Sequence, residues 1–332
     1  MTSPRIAGKY GRRPPKRAPA IRLARLLTGV VPAHPAAADY LAQLGGGWQM
    51  LGNDSIGDCN SVTWANMRRL VTGILAPPGH YPSLAQVFTF YKTQNPGFDP
   101  NGSASTNGPG SSHDGGMDVQ TGLEYLVANG GPDGVKALGF ASVDHANVAE
   151  VQAAIALFGS VWTGTQVLNV NQTQFGNNQP WDYVANSPVE GGHAILTGGY
   201  GAPGAGALGG DQRFITWGQE TSFTDSFWQN EVEEAWVVIW PEMMKDRDFL
   251  AGVNMAQFAA AYTAITGKQF PVAIPPTPTP TPTPTPAPVP PPANADVKLW
   301  ATAGPWCAEA RTRPDLATLK AALGTWATAK HL

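Results

Sequence analysis

The 332-residue sequence contains only two cysteines, Cys59 and Cys307, and only 14% of its residues are charged. The two cysteines lie on opposite sides of a proline-rich tract, so we expect neither a disulfide between them nor a disulfide framework. Their spacing also excludes a cysteine zinc cluster, and the sequence indicates no metal and no cofactor. The high counts of glycine (38) and proline (31) are typical of a chain with many loops and few long exposed helices.

The chain has no apolar run long enough to span a membrane. The pair Arg12-Arg13 is not followed by the apolar region of an export signal, so we find no classical signal peptide. We therefore expect no membrane partner. The location that we expect is a virus particle or, failing that, the cytoplasm.

Acidic residues are absent from residues 1–27, while the rest of the chain has 13 basic and 24 acidic residues. This first segment carries eight basic residues: Arg5, Lys9, Arg12, Arg13, Lys16, Arg17, Arg22 and Arg25. With four prolines as well, it cannot bury a core of its own. It is either a solvated tail or an arm that docks on an acidic surface. We favour docking on another protein, with nucleic acid the weakest option, because Tyr10 is the only aromatic residue among the charges. Packing on the acidic body of its own chain is the competing outcome.

Composition divides the chain into four zones. They are a basic extended N-terminal arm (1–47), a globular body (48–270), a Pro/Thr-rich linker (271–293) and a small helical C-terminal domain (294–332). The linker is typical of polyproline II, a semi-rigid spacer. The last zone predicts two helices, at 296–311 and 315–330. Because about forty residues bury little surface, this domain needs a protein partner or packs back on the body.

Helix patterns come first in the body and strand patterns follow. Helices are predicted at 60–72, 83–93, 118–129 and 147–158, and strands at 161–168, 193–200, 213–217 and 235–239. This order favours an α+β fold with a helical half and a β-rich half.

Cys59 and His193 are the candidate catalytic pair. Cys59 precedes the first predicted helix of the body, where the free N–H groups and the helix dipole favour a thiolate. His193 lies on a predicted strand, a rigid position for a general base. Their separation of 134 residues suits a cysteine and a histidine from opposite halves of one fold.

These residues resemble the papain-type cysteine peptidases. The likeness covers roughly residues 48–240 and includes Cys59 at a helix start, a Gly-His-Ala strand at 192–194 and a Thr-Trp-Gly strand at 216–218. The opening Gly-Asn-Asp-x-x-Gly-Asp-Cys at 52–59 is similar in particular to papain-like proteins of actinobacteria and their phages. The resemblance implies a two-lobed papain-like fold.

The resemblance also implies roles for individual residues. Cys59 matches the nucleophile, His193 matches the general base, and Asn53 falls where the family has its oxyanion-hole Gln. The family's Asn that orients the histidine is replaced by Ile215, which cannot hold an imidazole. Three replacements could substitute for it, and the sequence leaves the choice open: Thr216, Gln219 or an acid further on, such as Glu220.

Other polar and aromatic groups have simpler interpretations. The run Ser112-His113-Asp114 is predicted to be loop. We expect the acidic residues Glu231, Glu233 and Glu234 to form a solvated face, and four tryptophans to lie in the core: Trp217, Trp228, Trp236 and Trp240.

Two functions fit the sequence. The first is a papain-like thiol hydrolase that cleaves peptide or cell-wall amide bonds and is associated with a phage particle or a cell surface. The second is a catalytically silent papain-fold component of a virion, anchored to capsid or tail proteins through the N-terminal arm and the C-terminal domain.

Overall fold

Four helices make up the first half of the body. They are α1 (Cys59–Leu75), α2 (Leu84–Tyr91), α3 (Val119–Ala128) and α4 (Val148–Phe158). Each lies within three residues of its predicted bounds. A serine, an aspartate and an asparagine accept a hydrogen bond from the first turns of α2, α3 and α4, respectively.

This computed structural model describes residues 8–19, 21–28, 31–201 and 212–271. The predicted C-terminal helices, Cys307 and all of the linker beyond Pro271 lie outside these residues. Within the described part of the chain, no helix has the length and apolar character needed to cross a membrane.

An antiparallel sheet forms the β-rich half, and five of its seven described strands come from residues 161–239. Its described strands are β1 (Ala38–Asp39), β2 (Gly139–Ser142), β3 (Val161–Leu168), β4 (Val189–Tyr200), β5 (Gln212–Thr216), β6 (Gln219–Phe223) and β7 (Val232–Ile239). Their order is β2-β7-β3-β4-β5-β6, and β1 pairs with the end of β4. The predicted separation of a helical half from a β-rich half is confirmed.

Several further elements are present that are not predicted from the sequence. They are the helices α5 (Asn169–Gly176), α6 (Asp225–Glu231), α7 (Arg247–Gly252) and α8 (Met255–Thr266), and the 3-10 helices Leu23–Arg25, Ala42–Leu44 and Pro241–Lys245. Strands β2 and β6 were not predicted either. β2 is only four residues long and wholly buried, so the alternation that marks a strand is absent from it.

Helix α1 packs on the sheet and is buried along most of its length. Trp64 lies in the core, and the amide of Asn60 links the helix start to Trp162 of β3 (3.2 Å) and to the carbonyl of Met117 (2.8 Å). The guanidinium of Arg68 is also buried, where it pairs with Asp133 and Glu242. These contacts fix α1, and therefore Cys59 at its start, against the sheet.

The described part of the N-terminal arm packs on the body of its own chain. Residues 8–13 run between the helical and β-rich halves, Leu23 and Leu26 enter the core, and β1 joins the sheet. This is the outcome that competed with our expectation of contact with a different chain. Its physical reason is that the arm finds buried acidic partners on the body, and binding to a further protein stays a prediction.

Candidate active site

Cys59 is the first residue of α1, as predicted, and its side chain is buried. The backbone N–H groups of Ala194 and Gly11 approach its sulfur. Because Ala194 follows His193 on β4, the thiol lies beside the strand segment that carries the histidine. Two distant parts of the sequence therefore meet at the interface between the two halves.

His193 is held on β4 by a partner from the neighbouring strand. Its Nε2 lies 2.7 Å from the hydroxyl of Thr216, at the end of β5. The indole of Trp217 packs on the imidazole, with ring centroids 4.9 Å apart. Among the described residues, Nδ1 of His193 has no hydrogen-bond partner. Thr216, one of the candidate replacements for the missing asparagine, contacts the imidazole.

Neither member of the pair is charged at neutral pH in this conformation. Burial raises the pKa of the Cys59 thiol to about 12, although the N–H of Ala194 opposes the rise. Burial, aided by the positive charge of Arg12, lowers the pKa of His193 to about 3. These two shifts favour a protonated thiol at Cys59 and a neutral imidazole at His193.

Asn53 is buried at the same interface. Its side-chain Nδ2 donates to the backbone carbonyls of Lys9 (3.1 Å) and Ile56 (2.9 Å). The backbone carbonyl of Asn53 accepts from the N–H of Lys9 (2.6 Å). The amide predicted to stabilise an oxyanion thus donates to a peptide carbonyl of the arm.

Residues 8–13, which we call the cleft segment, occupy the space around these groups. Its backbone pairs with both halves of the body. The N–H groups of Gly11 and Arg12 donate to the carbonyl of Gly192 (3.1 and 2.9 Å), the residue before His193. On the other side, Met117 donates to the carbonyl of Gly11 (2.7 Å) and accepts from Arg13 (2.8 Å). The cleft segment therefore lies across the candidate site like a bound peptide.

Glycines line the path of the cleft segment. A Cβ added to Gly116 would lie 2.1 Å from the carbonyl oxygen of Gly11, and one on Gly192 would lie 2.3 Å from that of Arg12. Gly11 itself has no room, because its Cβ would lie 1.8 Å from the carbonyl oxygen of Gly57. Close approach of backbone to backbone on both sides requires residues without side chains.

The prediction of a solvated acidic face is wrong for Glu231 and Glu234, which are buried. Glu234 accepts a hydrogen bond from Arg12 of the cleft segment (3.0 Å), and Glu233 forms an ion pair with the same guanidinium. The sequence alone could not show this, because it requires the basic arm to fold back on its own acidic body.

The other residues singled out in the sequence have structural roles. Asp114 accepts from the N–H of Gly57 (2.9 Å) and from the hydroxyl of Tyr91 (2.5 Å), which ties its loop to the residues that precede Cys59. His113 lies in that loop, as predicted. All four tryptophans that we placed in the core are buried. Within the described ranges, no group of three His, Cys, Asp or Glu side chains could hold a metal ion.

Comparison with known proteins finds similarity to solved structures. No family model matches the chain, and no curated protein does. Among solved structures, it is similar to xylellain, a cysteine protease from Xylella fastidiosa, with a TM-score of 0.50 and 15% sequence identity. The match covers 72% of this chain and 99% of that one. At this identity the likeness concerns the fold, and it confirms that the chain has the papain-like α+β fold that its sequence predicts.

Proposed function

We propose that this protein is a papain-like thiol hydrolase that cleaves peptide or related amide bonds. The observation that carries the proposal is the hydrogen bond between Nε2 of His193 and Thr216, on a strand beside the thiol of Cys59. It orients the imidazole and leaves Nδ1 without a partner among the described residues. That nitrogen is available to take the thiol proton.

The chemistry follows from these groups. Nδ1 of His193 takes the proton of Cys59, and the sulfur attacks the carbonyl carbon of the substrate. The amide of Asn53 donates to the oxyanion that forms. When the carbon–nitrogen bond breaks, the imidazolium gives its proton to the leaving amine. Water, activated by His193, then attacks the thioester, and the acid product leaves as the thiol of Cys59 is restored.

Turnover requires that the cleft segment leave the site. It covers Cys59 and engages the amide of Asn53, so a substrate carbonyl cannot reach either group while the segment is bound. Departure of the segment also lets water in, which lowers the pKa of Cys59 and raises that of His193 toward their ordinary values. The covered form is then inactive, and the open form is the hydrolase.

The test is a full-length Gly11→Val variant, because a side chain at this position collides with the backbone of Gly57. We expect it to hydrolyse a set of fluorogenic peptides at least tenfold faster than the wild-type chain. Ala18→Val, an exposed change in the same arm, is the matched control and should behave as wild type. Adding Cys59→Ala to Gly11→Val should abolish hydrolysis. If Gly11→Val exposes Cys59 to alkylation yet cleaves no peptide, the hydrolase proposal fails.

The second candidate function is a catalytically silent papain-fold component of a phage particle. It is favoured by Ile215 in the place of the orienting asparagine and by the neutral state of the buried pair. The resemblance to proteins of actinobacteria and their phages, the Pro/Thr-rich linker and the basic arm also support association with a virion. In this case, an exposed Cys59 would react as an ordinary thiol and no peptide would be cleaved.

A further inference from the structure

The side chain of Arg12 fills a closed pocket next to the candidate active site. It is 0% exposed, while the side chains of Glu234 and Glu233 are 6% and 36% exposed. One terminal nitrogen donates to Glu234 (3.0 Å) and the other to Glu233. Two carboxylates on one strand thus hold the two terminal nitrogens of a single guanidinium.

Residues of the sheet form the walls of this pocket. Glu234 on β7 lies opposite Gly164 on β3, and a Cβ on Gly164 would come within 2.5 Å of Glu234 and 2.7 Å of the Arg12 side chain. Trp236 donates to the second oxygen of Glu234 (2.8 Å), and Gln166 donates to Glu233 (2.9 Å). Each carboxylate therefore has one oxygen fixed by the body and one left for the guanidinium.

The backbone of Arg12 and Gly11 connects this pocket to the candidate active site. The N–H of Arg12 donates to the carbonyl of Gly192, next to His193, and the preceding residue, Gly11, places its N–H near the sulfur of Cys59. Consider a substrate peptide that follows the same path. One of its residues close to the bond that is cleaved would place its side chain in this pocket.

We propose that the pocket formed by Gly164, Glu233, Glu234 and Trp236 selects an arginine side chain in peptide substrates, and that Arg12 is its internal competitor. The proposal rests on the proposed function, since it names the substrate class of the same site. An apolar side chain would leave Glu234 buried without a cation. Lysine offers a single point charge, whereas a guanidinium meets both carboxylates with separate nitrogens.

Binding without turnover tests the pocket. The protein is the full chain with Gly11→Val and Cys59→Ala, and the probes are fluorescent peptides that copy residues 8–17, with Arg, citrulline or Leu at the place of Arg12. Citrulline keeps the shape and loses the charge. We expect the Arg peptide to bind at least tenfold more tightly than the other two, which is about 1.4 kcal/mol. Glu234→Gln should remove most of this preference, and Glu233→Gln, a change at a more exposed residue, should remove part of it.

Equal affinity for the three peptides, or an Arg preference that survives both substitutions, would overturn the proposal. A second measurement covers the case in which Gly11→Val does not fold. In the full-length Arg12→Ala chain, N-acetyl-arginine amide should raise the melting temperature and the citrulline amide should not; no difference between the two counts against the pocket. Because binding is measured without Cys59, absence of hydrolysis would refute the hydrolase alone, and loss of Arg preference would refute the pocket alone.

Discussion

Thr216→Val removes the hydroxyl that contacts His193 and changes the shape of the side chain very little. Both residues are buried, at 3% and 1% exposure, and the two atoms are 2.7 Å apart. Valine leaves Nε2 of the imidazole without its partner in a place that water does not reach. The cost of such an orphaned polar group is about 1–3 kcal/mol. For a domain of this size, each kcal/mol shifts the melting temperature by about 2–4 °C.

The effect on catalysis should be larger than the effect on stability. Loss of the group that orients a catalytic histidine can cost up to about 10⁴-fold in kcat. Trp217 still packs on the imidazole and keeps part of its orientation, so we expect a loss of about 10²- to 10³-fold. KM should change little, because Thr216 is buried behind the imidazole and holds it without binding the substrate.

The assay compares Thr216→Val with Thr216→Ser, each in the full-length Gly11→Val chain that exposes the site. Serine keeps the hydroxyl and loses only a methyl group, so it should retain most of the activity at a stability cost of about 1 kcal/mol. Thermal unfolding and peptide hydrolysis are measured side by side. If valine is as active as serine, Thr216 does not orient His193 and the assignment of the third group is refuted.

Two further predictions concern stability. Arg68→Met should lower the free energy of unfolding by about 3–5 kcal/mol in a urea titration, because it leaves Asp133 and Glu242 without their buried cation; a loss below about 1 kcal/mol would contradict this. The pKa of His193 is about 3 in the folded chain and about 6.5 in the unfolded chain, so the unfolded state binds one more proton between these values. Stability should therefore fall as pH drops from about 6.5 to 3, by up to about 1.4 kcal/mol per pH unit, and His193→Gln should lack this component.

Local sequence patterns are sufficient to predict the helix and the strand that carry Cys59 and His193. The segment 52–59 and the helix pattern that begins at residue 60 predict the start of α1, and the apolar residues 194–196 that follow His193 predict β4. These signals are local because helix and strand periodicity is set by neighbouring residues. The likeness of the two motifs to those of papain-type peptidases then brought the two halves together.

The remaining features depend on contacts between distant residues. Glu234 has the sequence context of an exposed strand residue. It is buried in the fold because it pairs with Arg12, which is more than two hundred residues away in the sequence. Thr216 could be named among three candidates, but selecting it requires the register of β5 against β4. The cleft segment has a weak local signal in its two glycines, Gly8 and Gly11, whose close contacts with the body are visible only in the fold.

The most direct test of the account is the pH dependence of Cys59 alkylation, followed by mass spectrometry of the peptide that contains it. In the full-length Gly11→Val chain, an imidazole that takes the thiol proton should make Cys59 reactive well below pH 7. The added His193→Ala substitution should remove that reactivity, and the wild-type chain should react slowly because Cys59 is buried. A rate that follows a single ionisation near pH 8.5 in Gly11→Val, unchanged by His193→Ala, would contradict the claim that these residues form a catalytic pair.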